Sequence, residues 1–233
     1  MVMITTRTIT IIMIENLSLL RLMTWLSPAF PVGAFSYSHG VEHAIDQGLV
    51  HDRQSLEDWL ADLLGQGSGW NDAVLFAQSH RLAVNGGHAF AELAELAEAL
   101  AGSRERHMET MLQGEAFLSA VRAWPHPVLE VLPRRIASPV AVGAVSAVHG
   151  IDLEAALCAY LHGFTSNLIQ GAVRLVPLGQ SDGVAVLAGL EREIQHCSQK
   201  ASRSSLDDLG TCSIQSDIMA MRHETQYSRV FRS

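Results

Sequence analysis

Eleven histidines and three cysteines are the side chains in this sequence with the most obvious capacity to bind a metal or move a proton. His39 and His43 stand four apart, so on a helix they would share a face and supply half of a metal site. A closed site needs about three or four ligands, and Glu42 falls on a neighbouring face. A polar helix edge gives the same pattern. His196 and Cys197 are adjacent and would diverge on a helix. Cys158 lies in an apolar stretch and reads as a small core residue. The run Ser103-Arg104-Glu105-Arg106, with His107 and Glu109, reads as the solvated first turn of a helix. Asn167 sits in the most apolar segment, where an amide must be paired. Such residues fix helix register or subunit pairing, and a hydrogen-bonded core amide is an equal reading.

The missing motifs narrow the chemistry. The sequence has no GxxxxGK[ST] phosphate loop, no GxGxxG after a strand, no HExxH and no GxSxG. No convergent acid/base or nucleophile set stands out, so no enzyme activity and no cofactor are expected. The three cysteines form no CxxC pair and are widely spaced, which argues against a disulfide framework and for a reducing, cytoplasmic compartment. The opening MVMITTRTITIIMIEN lacks the ordered parts of a signal peptide. It fits a β-prone arm, a disordered leader or a start-site extension.

The elements that would position these residues read as helices. Of 233 residues, 48% are apolar and only 6% aromatic, with Ala and Leu abundant, which favours helices packed on helices. The expected fold is all-α: one helical domain of about ten helices over 15–197, a leader over 1–14, and a mobile linker and docking tail over 198–233. The first helix runs from Glu15 to Leu26, and a second from Ser38 to Gln47 with Gly48 as its stop. Ser55 is placed as the cap of a helix through Leu64, broken by Gly65, Gly67 and Gly69. Asn71 or Asp72 starts the next, to about Val84. Helices follow over 88–101 and from Ser103 to Ala123. Ser138-Pro139 opens another, with a hydroxyl cap ahead of the first-turn proline. Asp152 caps the most apolar helix, which Pro177 stops, and Ser181 or Asp182 begins one to Cys197. Residues 198–208 are Ser-rich, and 209–233 show no clear periodicity.

The net charge of −8 excludes a general nucleic-acid footprint. The tail is locally basic, with Arg222, Arg229 and Arg232 against Glu224. That suits a docking element for an acidic surface, and equally a solvated terminus. Residues 136–148 and 153–176 are apolar enough to suggest a membrane hairpin. The second carries Glu154 and Arg174, and a charge at bilayer depth costs at least ~2.5 kcal/mol. A helix apolar nearly all round is explained without that cost if it is central or at a subunit interface.

Three segments carry a resemblance: LSPAFPVGAFSYSHGVEHAIDQG from Leu26, YLHGFTSNLIQGAVRLVPLGQSDG from Tyr160, and DIMAMRHETQYSRVFRS from Asp217. With Asp72-Ala73 and Ser103-Arg104-Glu105 in order between them, the chain resembles the UreF family over nearly its whole length after residue 15. His43, Met219-Ala220-Met221 and the leader depart from the family pattern. The resemblance implies an all-α, dimerising, non-catalytic adaptor. It would bind UreD (also called UreH), permit recruitment of the GTPase UreG, and take part in delivering nickel to the urease apoprotein. It also implies partner contact by Tyr37, Ser38 and His39 of the FSYSHG loop. The tail residues implied are Arg222, His223, Glu224, Tyr227, Arg229, Phe231 and Arg232, with Arg229 tied to UreG recruitment. Tyr160, Phe164 and Asn167 are the expected dimer positions. The alternative function is a stand-alone nickel carrier using His39 and His43.

Overall fold

The computed structural model describes residues 6–87 and 89–232. Among them there is no strand, and the architecture is all-α as expected. The helices are α1 Thr6–Trp25, α2 Val41–Asp46, α3 Arg53–Gln66, α4 Ser68–Val84, α5 Phe90–Ala99 and α6 Arg104–Ala120, followed by α7 Val128–Val131, α8 Ser138–Val148, α9 Leu153–Ala172, α10 Gln180–Gly189, α11 Glu191–Ser202 and α12 Ile214–His223. No described helix is long and apolar enough to cross a membrane. The expected leader over 1–14 therefore divides: residues 1–5 lie outside the described residues, and the first helix begins at Thr6 rather than Glu15.

Local chemistry sets the boundaries. α3 starts one turn before Ser55, because Asp52 is the cap. Its carboxylate accepts from the Ser55 backbone N–H at 2.8 Å, and Ser55 Oγ accepts from the Asp52 N–H at 3.0 Å. This reciprocal pair satisfies two orphan donors at once, which a lone Ser55 cap would not. Gly65 and Gly69 lie within α3 and α4, and only Gly67 separates them. α4 consequently begins at Ser68 and not at Asn71 or Asp72. Ser138 supplies no cap to α8; its own N–H donates to Thr110 Oγ1 at 3.3 Å. Asp152 does cap α9, accepting from the Ala155 N–H at 3.0 Å.

The core lies between α4, α8 and α9. α4 and α8 approach until their backbones nearly touch: a Cβ on Gly143 would lie 2.5 Å from the Phe76 carbonyl oxygen. That contact buries Ala73, Phe76 and Ala77 against Val140, Ala141 and Ala144, all completely inaccessible. α9 is central, with Leu157, Leu161 and Ile169 buried against α11, α4 and α2. α3 and α11 close one side through Leu56, Leu60, Ile194 and Ala201. Trp25 pins α1 edge-on to Phe117 and Trp124 at 6.2 and 5.7 Å.

The segment after Cys197 is more structured than its composition suggests. α11 continues to Ser202, and Arg81 donates to the Ser202 and Ser204 carbonyls. Trp70 Nε1 donates to the Asp208 carbonyl at 2.9 Å, and Ser213 Oγ bonds the Asp62 carboxylate. The tail, expected without periodicity, forms α12.

The α4–α8 contact can be tested directly. Gly143→Val should force the two backbones apart and cost about 2–3 kcal/mol. Urea unfolding followed by circular dichroism should show the midpoint falling with an unchanged slope.

Candidate functional site

The first turns of α6 build the site. Ser103 Oγ caps the helix by accepting from the Arg106 N–H at 3.1 Å. Glu105 and Glu109 follow at helical spacing and were expected in solvent. They are instead 6% and 4% exposed, because α12 and the loop before α2 lie over them. A buried carboxylate must be paired, and the two pair in different directions.

Glu109 faces inward. It accepts from Arg106 Nη1 at 3.0 Å and from Gln113 Nε2 at 3.1 Å, and His39 Nε2 lies 2.7 Å from its Oε1 and 2.9 Å from Arg106 Nη1. Arg106 also reaches Asp72 at 3.5 Å, and the Tyr160 hydroxyl donates to the same Asp72 oxygen at 3.3 Å. Burial alone would raise the Glu109 carboxyl, but His39 and Arg106 outweigh it and bring it down to about 2. Asp72 goes the other way: burial raises it, and Arg106 and His39 offset only part. Burial and Asp72 push the Tyr160 hydroxyl well above its usual range. His39 occupies the left-handed backbone region at φ 52°, uncommon for a residue with a side chain. The Glu109 bond and the edge of Phe164, 4.8 Å from its ring centre, hold it there. These groups line a cavity of about 80 Å³ together with Trp25, Phe30 and Phe117.

Glu105 faces the tail. One of its oxygens accepts from Arg229 Nη1 at 2.6 Å and the other from His223 Nδ1 at 2.7 Å. The second ring nitrogen of His223 lies 3.1 Å from Glu42 Oε2 on α2. Glu42, 5% exposed, also receives the Val230 and Phe231 backbone N–H groups at 2.7 and 2.8 Å. Two buried carboxylates from distant parts of the chain thus grip one tail. Gly40 makes the approach possible: at φ 77° a Cβ there would stand 2.5 Å from the Ala220 nitrogen of α12. Phe231 is buried with its ring against Gly171 of α9. Glu224 turns back and accepts from the Arg104 N–H at 2.8 Å, satisfying a free donor at the start of α6. Arg232 donates its N–H to the Ser36 carbonyl at 2.7 Å, and its side chain hydrogen-bonds Tyr37.

The residues singled out from the sequence therefore meet in part. Tyr37, Ser38, His39, His223, Glu224, Arg229, Phe231 and Arg232 form one continuous assembly of loop, α6 and tail. Arg222 is exposed and Tyr227 fully so. His39 precedes α2 and is not on it, so it shares no helix face with His43, whose Nδ1 pairs with the Gln226 side chain at 2.7 Å. Among the described residues, no group of three or more His, Cys, Asp or Glu is placed to hold a metal ion. Tyr160 is buried against Asp72, while Phe164 and Asn167 are half-buried at the cavity wall. Cys197 is buried, its thiol donating to the Leu64 carbonyl and pushed up to about 12 by burial. Glu42, Glu105 and Asp72 were not among the expected site residues. The signals available were the Asp72-Ala73 and Ser103-Arg104-Glu105 patches of the resemblance and the spacing of Glu105 and Glu109, one helical turn apart.

A helical body whose buried charges fix its own tail beside a loop defines a scaffold that presents a shaped surface. The profile of the UreF family matches residues 50–191. The chain is 59% identical over 219 residues to a protein of Mesorhizobium japonicum named urease accessory protein UreF, covering 94% of this chain and 98% of that one. A protein of the same name from Rhizobium leguminosarum bv. viciae is 56% identical with the same coverage. A urease accessory protein UreF 1 of Brucella canis is 57% identical over 216 residues, 93% of this chain and 94% of that one. The chain belongs to the UreF family.

The inner network predicts an acid response. Glu109 titrates at about 2 when folded and at about 4.3 in an unfolded chain. Its stabilisation is therefore complete above the unfolded value and is lost as pH falls towards 2. Glu109→Gln should cost about 3 kcal/mol at neutral pH, since it leaves Arg106 without its main partner. It should also flatten the decline in urea midpoint from about pH 5 downward. A variant as acid-sensitive as the parent would show that other carboxylates govern that decline.

Proposed function

We propose that the chain is a urease-maturation adaptor. It binds UreD (UreH), recruits the GTPase UreG and takes part in delivering nickel to the urease apoprotein. It works in the cytoplasm as a homodimer and carries out no chemistry of its own. The observation that carries this reading is the convergence of loop and tail. The FSYSHG loop and the YSR tail, far apart in the sequence, are tied into one face by Glu42, Glu105, Arg232 and the Ser36 carbonyl. Tyr227 and Val230 stand exposed on that face, 105% and 67% accessible, with Arg222, Arg229 and Arg232 beside them. Exposed aromatic and guanidinium groups on a fixed backbone suit a protein interface. The names of the relatives support the pathway. Of the three expected dimer positions, Phe164 and Asn167 keep part of their surface, while Tyr160 is held inward by Asp72.

The carrier alternative gains nothing from the geometry, since His39 and His43 point to different partners. In the adaptor reading Arg229→Ala, or removal of 222–233, leaves the helical body folded and abolishes assembly with UreG. Size-exclusion chromatography with light scattering should show the full chain in a complex with UreD and GTP-loaded UreG. The Arg229→Ala chain should stop at UreD. A full chain that binds neither partner would sink the adaptor reading, and a variant that still takes up UreG would sink the role of Arg229.

A further inference from the structure

A helix on the surface of a globular protein keeps its apolar residues on the side that faces the core. α1 departs from that rule. It turns Trp25 and Leu22 inward, 2% and 8% exposed. At 3.6 residues per turn, Leu17, Leu19, Leu20 and Met23 occupy the opposite half of the helix. They are 50%, 56%, 58% and 65% exposed. Between Asn16 and Leu26 the one charged residue is Arg21, and its guanidinium is turned to the His149 carbonyl at 3.4 Å. Thr24, also exposed, returns its hydroxyl to the Leu20 carbonyl at 2.8 Å. From Leu17 to Thr24 the outward face therefore presents large apolar side chains, with no charge and no unsatisfied hydroxyl.

A continuous apolar face of this kind marks a contact surface, and charge decides what it contacts. Helices that lie on membranes carry Lys and Arg along their polar side. This stretch has Arg21 alone, and a chain of net charge −8 is repelled by anionic headgroups. A partner of different sequence is selected by polar and charged groups set around an apolar centre, and this face has none. A second copy needs none, because a twofold contact lays the same patch on itself. Two chains that each carry −8 approach at least cost where neither presents an acid. The position of α1 suits the same contact. A Cβ on Gly163 would lie 3.6 Å from the Leu26 carbonyl, so α1 ends against α9. Phe164 and Asn167, which keep part of their surface, follow Gly163 on that helix. Four large side chains fall short of the roughly 800 Å² per partner that a stable interface buries, and the α9 positions extend the patch.

We propose that the outer face of α1 is the centre of the homodimer. Leu17, Leu19, Leu20 and Met23 of one copy pack on the same face of the second, with Phe164 and Asn167 at the edge. This inference rests on the homodimer reading given above and assigns its surface. A contact of this kind is held by apolar burial, so its response to salt is opposite in sign to that of an ion-paired interface. Salt screens the repulsion between the two acidic bodies and leaves the apolar contact in place. Association therefore tightens as salt rises.

The experiment is size-exclusion chromatography with light scattering over a dilution series of the full chain, which gives the dimer dissociation constant. That constant should fall between about 0.05 M and about 0.5 M sodium chloride. Leu20→Glu combined with Met23→Glu places carboxylates inside the contact and should raise it by about a hundredfold or more. The variant should be a monomer with the helical circular dichroism of the parent. Leu20→Met combined with Met23→Leu keeps the face apolar and should stay dimeric. A double-Glu chain that dimerises as the parent does, or a parent dimer that loosens in salt, would overturn the assigned surface while the homodimer reading stands. A parent chain that is monomeric at every concentration would overturn both. A parent chain that pellets with phosphatidylglycerol vesicles would put a membrane on α1 in place of a second copy.

Discussion

Glu42 and Glu105 are carboxylates almost wholly withdrawn from solvent that the helical body alone cannot satisfy. An ionised group removed from water costs several kcal/mol unless every acceptor position is met. Here the donors come from the far end of the chain: an imidazole, a guanidinium and two backbone amides. The shape of the tail, the glycine at position 40 and the turn of Glu224 towards α6 all follow from bringing those donors to those acids. Apolar contact adds Met219 and Ala220 of α12 and, beyond that helix, Phe231, where a ring lies on the bare backbone of Gly171. The position of that ring is set by the amide hydrogen bonds on either side of its own α-carbon.

α6 links this clasp to the interior. Glu105 and Glu109 are one turn apart, with Arg106 between them, and they serve different networks. The loop before α2 and the first turn of α2 do the same over six residues: Tyr37 meets the tail, His39 meets Glu109, and Glu42 meets the tail again. A shift of α6 along its axis would disturb both networks at once. The left-handed backbone at His39 is the local strain this arrangement maintains, and the buried Glu109 bond compensates for it.

The all-α class and most helix boundaries were legible in the sequence because they rest on apolar spacing, caps and prolines. Asp152 and the Ala/Leu stretches needed no tertiary information, whereas α9 ends at Ala172, five residues before Pro177, and the single helix expected from Ser181 or Asp182 to Cys197 is two, α10 and α11. The site was legible only through family resemblance, and the reason is physical. The buried positions of α12 are Ser216, Met219, Ala220 and His223, a helical repeat made chiefly of small and polar residues. The buried positions of α6 include Glu105, Glu109, Thr110 and Gly114. A search for apolar periodicity passes over such stripes and reads them as solvated, since the partners that justify burial lie more than a hundred positions away. The Ser-rich stretch after Cys197 misled in the same way. Its order comes from Arg81 and Trp70 on another helix, which composition cannot show.

The span between partners in the clasp also bears on how the chain is made. Glu42 and the amides it receives are 188 and 189 positions apart, and His223 is 181 from Glu42. On the ribosome, α2 and α6 emerge and can settle long before the residues that complete them exist. During that interval both acids must stay hydrated in an open groove, because the helices around them have nothing to offer. Closure of so long a loop comes late and slowly. A nascent chain therefore passes through a stage in which the body is folded and the acidic groove is bare, and any chain cut short by a failed message or a protease stays there. The groove then marks the unfinished molecule: an anionic slot, open to cationic or strand-like segments of other chains, that a finished copy has already filled with its own tail.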